Sequence, residues 1–214
     1  TSLMASVLQA GKLDPTVVIG GKVKGLRSNA RLGKGDFIIA EADESDGSFL
    51  KLIPTIAVVT NIDKEHLENY GSFQSYKDAF FKFCTRIPFY GVSIICGEDS
   101  DALKMSEGLK KRHQLYGFSK KFDWNAQNIS FEGAKSSFDL YQKTEFVSRI
   151  TVNIPGKHNV LNSLAVIAVA REIGISIAHI KKGLAGYKGV GRRMEVLYQS
   201  KDTVALDDYG HHPT

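Results

Sequence analysis

The chain has 214 residues, of which 43% are hydrophobic and 24% charged, and its formal net charge is +5. These proportions are those of a folded globular protein, so they exclude a disordered or low-complexity polymer. The basic excess suits an anionic ligand such as a nucleotide, but it is too diffuse to indicate nucleic-acid binding.

The first half of the sequence alternates short apolar runs with helical patterns. Strands are predicted at 17–21, 37–40, 56–60 and 92–96, and helices at 1–10, around 73–83 and at 100–111. Continuous apolar strands that alternate with helices are typical of a parallel sheet covered on both faces. We therefore expect the strands at 37–40 and 56–60 to be buried.

The pattern changes in the second half of the sequence. Between 122 and 154 the apolar residues recur with period two, which predicts a small antiparallel meander. Two helices follow, at 159–173 and 177–185, and a glycine-rich joint at 186–191 marks a domain boundary. The predicted fold is α/β, with a mostly parallel sheet flanked by helices. The predicted domains are 1–188 and 189–214, the second containing two strand-like stretches.

Cysteine usage and apolar run length favour a cytoplasmic protein. Cys84 and Cys96 lie in apolar sequence and are too few for a disulfide framework, so we expect buried, reduced thiols. The apolar stretch 161–170 is shorter than the roughly 20 residues that span a bilayer, and no export leader is evident. We expect neither a membrane nor a nucleic-acid partner. Both ends of the sequence resemble cuts within a longer protein.

Polar clusters follow two of the predicted strands, where open parallel sheets bind ligands. Glu41 opens an acidic run after one strand, and His66 follows the next strand. Mg²⁺ takes carboxylate oxygens at such places and shares its coordination with phosphate, so Glu41 and His66 are candidate metal ligands. An imidazole is an unusual Mg²⁺ ligand. The alternative interpretation is a solvated loop that caps the next helix.

Further candidates lie at the start of the apolar helix and after the glycine joint. Asn159 and Asn162 share one face of a helix N-terminus, which favours an anionic or nucleotide ligand, although asparagine is also a common helix cap. Arg193 suits phosphate clamping at a domain junction, and a solvated arginine is the alternative. The tail contains Asp208, Tyr209, His211 and His212. A metal hydrolase with His66, His211 and His212 as ligands is a further alternative.

Five motifs, in this order and spacing, resemble the Mur ligase family over nearly the whole chain. They are EADESDGSFL at 41–50, VVTNIDKEHLENYG at 58–71, GKHNVLNSLAVIAVAREIGI at 156–175, GVGRR at 189–193 and DDYGHHPT at 207–214. The wording of the first and last motifs is most similar to the family member that adds L-alanine. The resemblance implies a central ATP-binding domain and the first strands of a C-terminal Rossmann-like domain.

The resemblance also implies roles for individual residues. Glu41 and His66 match Mg²⁺-binding positions, and Asn159 and Asn162 match nucleotide-binding positions. Arg193 matches an arginine that reaches the ATP phosphates. Asp208 matches an acidic residue near the ribose, with Tyr209 against the nucleotide.

The implied reaction uses ATP and Mg²⁺ to join L-alanine to the lactyl carboxylate of UDP-N-acetylmuramate through an acyl phosphate, in peptidoglycan precursor synthesis. The family's Gly-Thr-His-Gly-Lys-Thr-Thr phosphate loop does not occur in the 214 residues, so we expect the chain alone to be inactive. A non-catalytic nucleotide- or protein-binding module and another amino-acid or peptide ligase of the family are the alternatives.

Overall fold

A computed structural model describes residues 1–20, 30–65, 67–187, 189, 195–208 and 210 of the chain. In this part the helices are α1 Ser2–Ala10, α2 Leu67–Tyr70, α3 Phe73–Thr85, α4 Ser100–Glu107, α5 Lys157–Glu172 and α6 Ile177–Ala185. The strands are β1 Thr16–Val18, β2 Ala30–Arg31, β3 Ile38–Ala40, β4 Ile56–Val59, β5 Val92–Cys96, β6 His113–Gly117, β7 Trp124–Glu132, β8 Lys135–Gln142, β9 Glu145–Val152, β10 Glu195–Gln199 and β11 Val204–Asp207. A single 3-10 turn covers Ser48–Lys51.

The main sheet has six strands in the order β4-β5-β6-β7-β8-β9. Strands β4 to β7 run parallel, and β8 and β9 continue the sheet antiparallel to their neighbours. The predicted meander is therefore present, but it extends the parallel sheet directly. The predicted fold class is confirmed.

Two helical layers cover the parallel strands. On one face, Val92 and Ile94 of β5 pack with the cluster that includes α1, α5 and α6. On the other face, Ile95 packs with residues of α3 and α4. All five residues of β5 are buried, as the prediction of a continuous apolar strand requires.

Helix α5 is the central element of the first layer. Its residues from Ser163 to Ala170 are all buried. A helix that is apolar on every side needs neighbours on every side, and α5 contacts β5 to β8 as well as α1 and α6. The predicted helix at 159–173 is confirmed, with a start two residues earlier.

A smaller sheet has the order β2-β1-β3, with β1 and β3 parallel. The prediction that the strand at 37–40 is buried was wrong, because Ile38 is 73% exposed. Strand β3 is an outer strand with one hydrogen-bonded neighbour, β1, so the apolar letters reflect strand propensity more than burial in the described part.

The remaining predictions differ in detail. Helix α4 ends at Glu107, with Gly108 as its C-cap, rather than at 111. Strands β10 and β11 form an antiparallel two-stranded ribbon in the tail.

Both cysteines are buried, and burial raises the pKa of Cys84 to about 11. Within the described ranges, no helix has the length and apolar content needed to span a bilayer.

Candidate active site

Glu41 follows β3 directly and continues its pairing with β1. Its backbone N–H donates to the carbonyl of Val18 at 2.9 Å. Its side chain is exposed and extends over Gly20, where an added Cβ would lie 3.3 Å from Oε1 of Glu41. The main chain of Glu41 is therefore fixed by the small sheet, while its carboxylate is available to a ligand.

The rest of the acidic run forms a tight turn. Oδ1 of Asp43 accepts a hydrogen bond from the Ser45 N–H at 2.9 Å, and Oδ1 of Asp46 accepts one from the Ser48 N–H at 2.8 Å. The hydrogen bonds from Ser48 lower the pKa of Asp46. Asp43 and Asp46 thus act as turn-forming residues, which is the loop interpretation offered by the sequence.

The segments that follow β3 and β4 meet at one cavity of about 150 Å³. Its polar lining comes from Glu44 on one side and from Asn61, Asp63 and Glu65 after β4. Its apolar lining includes the aromatic side chains Phe49, Tyr76, Phe80 and Phe83. The carboxyl ends of two strands in different sheets therefore share one concave surface, to which Ala42, the neighbour of Glu41, also contributes.

Helix α2 holds the acidic turn in place. The hydroxyl of Tyr70 donates to the carbonyl of Glu44, and Nδ2 of Asn69 donates to the carbonyl of Ser45 at 2.8 Å. Burial, reinforced by the charge of Glu44, raises the pKa of Tyr76. These contacts could not be predicted from the sequence, in which only the helical spacing of the aromatic residues was evident.

Helix α5 begins at the same end of the main sheet. Glu172, its last residue, pairs with Arg112 and with Gln114, which is at the start of β6. The opposite end of α5 therefore lies toward the carboxyl ends of the parallel strands. This arrangement places Asn159 and Asn162 at the ligand-binding end of the sheet.

Asn159 and Asn162 have different surroundings. Nδ2 of Asn159 donates to the carbonyl of Pro155 at 2.6 Å, while the N-cap position is occupied by Gly156 at φ 105°. Asn159 therefore braces the first turn without acting as an N-cap acceptor. Asn162 is exposed, and its side chain makes no hydrogen bond within the described part of the chain.

Several predicted site residues lie outside the described residues. These are His66, Arg193, Tyr209, His211 and His212. Asp208 is described, and it is exposed immediately after β11. Among the described residues, no group of three or more acidic, histidine or cysteine side chains is arranged to hold a metal ion. Mg²⁺ commonly needs only one or two protein carboxylates beside phosphate oxygens, and the exposed carboxylate of Glu41 fits that need.

Comparison with known families gives a match to the Mur ligase middle domain over residues 22–170. A UDP-N-acetylmuramate–L-alanine ligase of Syntrophus aciditrophicus is 48% identical over 214 residues, and one of Sorangium cellulosum is 50% identical over 213. Each alignment covers the whole of this chain but 45% of the relative. The chain thus spans less than half the length of these curated relatives.

A solved structure has the same fold. The crystal structure of UDP-N-acetylmuramate-alanine ligase from Thermotoga maritima superposes with a TM-score of 0.86 at 29% sequence identity. The superposition covers 99% of this chain and 48% of the other. The similarity therefore includes the tail that follows the glycine joint.

Proposed function

Because the chain belongs to the Mur ligase family, we propose that it is the ATP-binding part of a longer ligase that joins L-alanine to UDP-N-acetylmuramate. The observation that carries the proposal is the alignment of the whole of this chain with two ligases of that name at 48% and 50% identity. The cavity shared by the segments after β3 and β4 supports it, because a phosphoryl-transfer site needs converging oxygen donors.

We further propose two domains, the central ATP-binding domain at 1–188 and the beginning of a C-terminal domain at 189–214. The domain boundary falls after α6, where the sequence becomes rich in glycine. The enzyme would act in the cytoplasm during peptidoglycan precursor synthesis, where ATP and the nucleotide sugar are available.

In the proposed reaction, the lactyl carboxylate of the nucleotide sugar attacks the γ-phosphate of ATP, the bond from the γ-phosphorus to the β–γ bridging oxygen breaks, and ADP leaves. The resulting acyl phosphate is attacked by the amine of L-alanine, and phosphate leaves. Activation is needed because a free carboxylate is a poor electrophile toward an amine. Exclusion of water from the site protects the acyl phosphate from hydrolysis.

The residues of the chain serve this reaction by binding and positioning. Glu41 and His66 would hold Mg²⁺, which, when bound, offsets the charge repulsion between two anionic reactants. Asn159 and Asn162 would hold the nucleotide, and Arg193 would contact the ATP phosphates. Asp208 would bind the ribose, with Tyr209 packed against the nucleotide.

The proposal is tested by Glu41→Gln and His66→Ala in the full-length ligase. We expect each variant to lose ATP turnover by at least about 10²-fold, the scale on which loss of electrostatic stabilisation at a reacting group acts. Because the Glu41 side chain is exposed, the thermal unfolding midpoint of Glu41→Gln should stay within about 2 °C of the unsubstituted protein. Release of phosphate is measured with and without each substrate.

Glu132→Gln, at an exposed position in β7, is the matched control and should keep full turnover. Phosphate release that does not require both the nucleotide sugar and L-alanine would refute the ligase function. Binding of nucleotide without any turnover would favour the alternative of a non-catalytic binding module.

A further inference from the structure

Helices α1 and α6 are in unusually close contact. A Cβ added to Gly183 would lie 2.6 Å from Cα of Val7, so the two backbones meet where Gly183 has no side chain. Close by, Oγ of Ser6 donates to the carbonyl of Gly183 at 2.8 Å. These contacts fix the last turn of α6 against the middle of α1.

A second contact joins Ser2, at the start of α1, to Tyr187, which follows the C-cap of α6. The hydroxyl oxygens of Ser2 and Tyr187 lie 2.6 Å apart in a hydrogen bond in which either can be the donor. Ser2 is buried, and burial also raises the pKa of Tyr187. The contact is therefore a partly desolvated bond between elements 185 residues apart in the sequence.

Each partner lies beside a different part of the proposed machinery. Ser2 lies in the first turn of α1, and Ala5 of the same helix packs with Val17 in the small sheet that holds Glu41. Tyr187 follows the C-cap of α6 and lies one residue before the last residue of the proposed ATP-binding domain. A single hydrogen bond therefore connects the first turn of α1, a helix that packs on the sheet holding Glu41, with the chain that follows α6.

We propose that Tyr187 is a positioning residue that couples the direction of the domain joint to the nucleotide-binding end of α1. This inference rests on the proposed function, because it assumes that ATP binds at that end. The Tyr187 hydroxyl restricts where the chain leaves α6, and the same bond holds the first turn of α1. Loss of the bond would make the first turn of α1 and the chain after α6 less rigid. Nucleotide binding would then weaken although no residue that touches the substrate has changed.

The test compares steady-state kinetics of the full-length ligase and its Tyr187→Phe and Ser2→Ala variants. A buried neutral hydrogen bond corresponds to roughly a three- to tenfold change in an equilibrium constant. We expect each variant to raise the KM for ATP by roughly that factor. The KM for UDP-N-acetylmuramate and kcat should stay within about twofold of the unsubstituted enzyme. The double variant should be no worse than either single variant, because both remove the same bond.

Ser6→Ala is the matched control, since it removes a hydrogen bond from the same helix interface away from the joint. It should lower the thermal unfolding midpoint about as much as Ser2→Ala does, yet leave the KM for ATP unchanged. If Tyr187→Phe and Ser2→Ala behave like Ser6→Ala in an active enzyme, the inference is overturned and the proposed function stands. If the unsubstituted enzyme does not turn over ATP with both substrates, the proposed function and this inference both fail.

Discussion

Asn159 and Asn162 show how two residues of one motif differ in what they do for the fold. Asn159 donates to the Pro155 carbonyl at 2.6 Å and so stabilises the entry into α5. Asn162, one turn later, is exposed. A role in nucleotide binding is proposed for both, but only Asn159 has a structural role in the described part of the chain.

This difference predicts separable effects of substitution. Asn159→Ala should lower the free energy of unfolding by about 1 kcal/mol, because it removes one hydrogen bond, and should also weaken ATP binding. Asn162→Ala should weaken ATP binding with a change in unfolding free energy below about 0.5 kcal/mol. Urea unfolding and nucleotide titration of the full-length ligase measure both quantities. Equal losses of unfolding free energy for the two variants would contradict the conclusion that only Asn159 stabilises the start of α5.

The acidic run illustrates the limits of residue-level prediction. Five of the six residues at 41–46 are polar, and the sequence offered a metal site and a capped loop as alternatives. In the structure, Asp43 and Asp46 accept backbone hydrogen bonds in the turn, whereas Glu41 extends the strand and keeps an exposed carboxylate. The geometry of the turn decides which of the acidic side chains accept hydrogen bonds from the local backbone, and residue type alone does not specify that geometry.

At the scale of elements, the packing of α1 against α6 depends on one position without a side chain. Gly183→Ala would place Cβ 2.6 Å from Cα of Val7, and backbone atoms at that distance cannot rotate away. We expect the helices to be forced apart at a cost of about 1 to 3 kcal/mol in unfolding free energy. Denaturant unfolding of the variant measures this loss.

Gly186→Ala is the appropriate comparison for this substitution. Gly186 is the C-cap of α6 with φ −79°, and an added Cβ would be near carbonyl oxygens of its own helix only. The Gly186→Ala substitution should change the free energy of unfolding by less than about 1 kcal/mol. A Gly183→Ala variant as stable as Gly186→Ala would show that the helix contact is looser than described.

Some elements could be predicted from the sequence and others could not. Strand β5 and the part of helix α5 from Ser163 to Ala170 are buried on all sides, so their continuous apolar runs identified them. Strand β6 was missed because His113 and Gln114 interrupt its apolar pattern and it follows α4 closely. Strand β2 has only two residues, too few to show any periodicity. The burial of β3 was overestimated because apolar residues in a strand do not indicate whether another element covers that strand.

For the molecule as a whole, we predict that the 214-residue chain alone does not turn over ATP. The phosphate-loop motif that the family resemblance implies does not occur in the sequence, so the backbone N–H groups that hold ATP phosphates are missing. Isothermal titration calorimetry should give a dissociation constant for Mg-ATP weaker than about 1 mM. Under the same conditions, the full-length ligase should bind in the micromolar range. Micromolar binding by the 214-residue chain would contradict the prediction.

The β10–β11 ribbon affects how the 214-residue chain behaves in concentrated solution. Leu197 and Tyr198 of β10 are 65% and 60% exposed, and Val204 and Leu206 of β11 are 51% and 48% exposed. Within the described ranges the ribbon has two strands and exposed apolar side chains, and such a ribbon can pair with the strands of other copies of the chain. Concentrated preparations are therefore prone to aggregation through their tails, and dilute or detergent-containing buffers would be the safer storage.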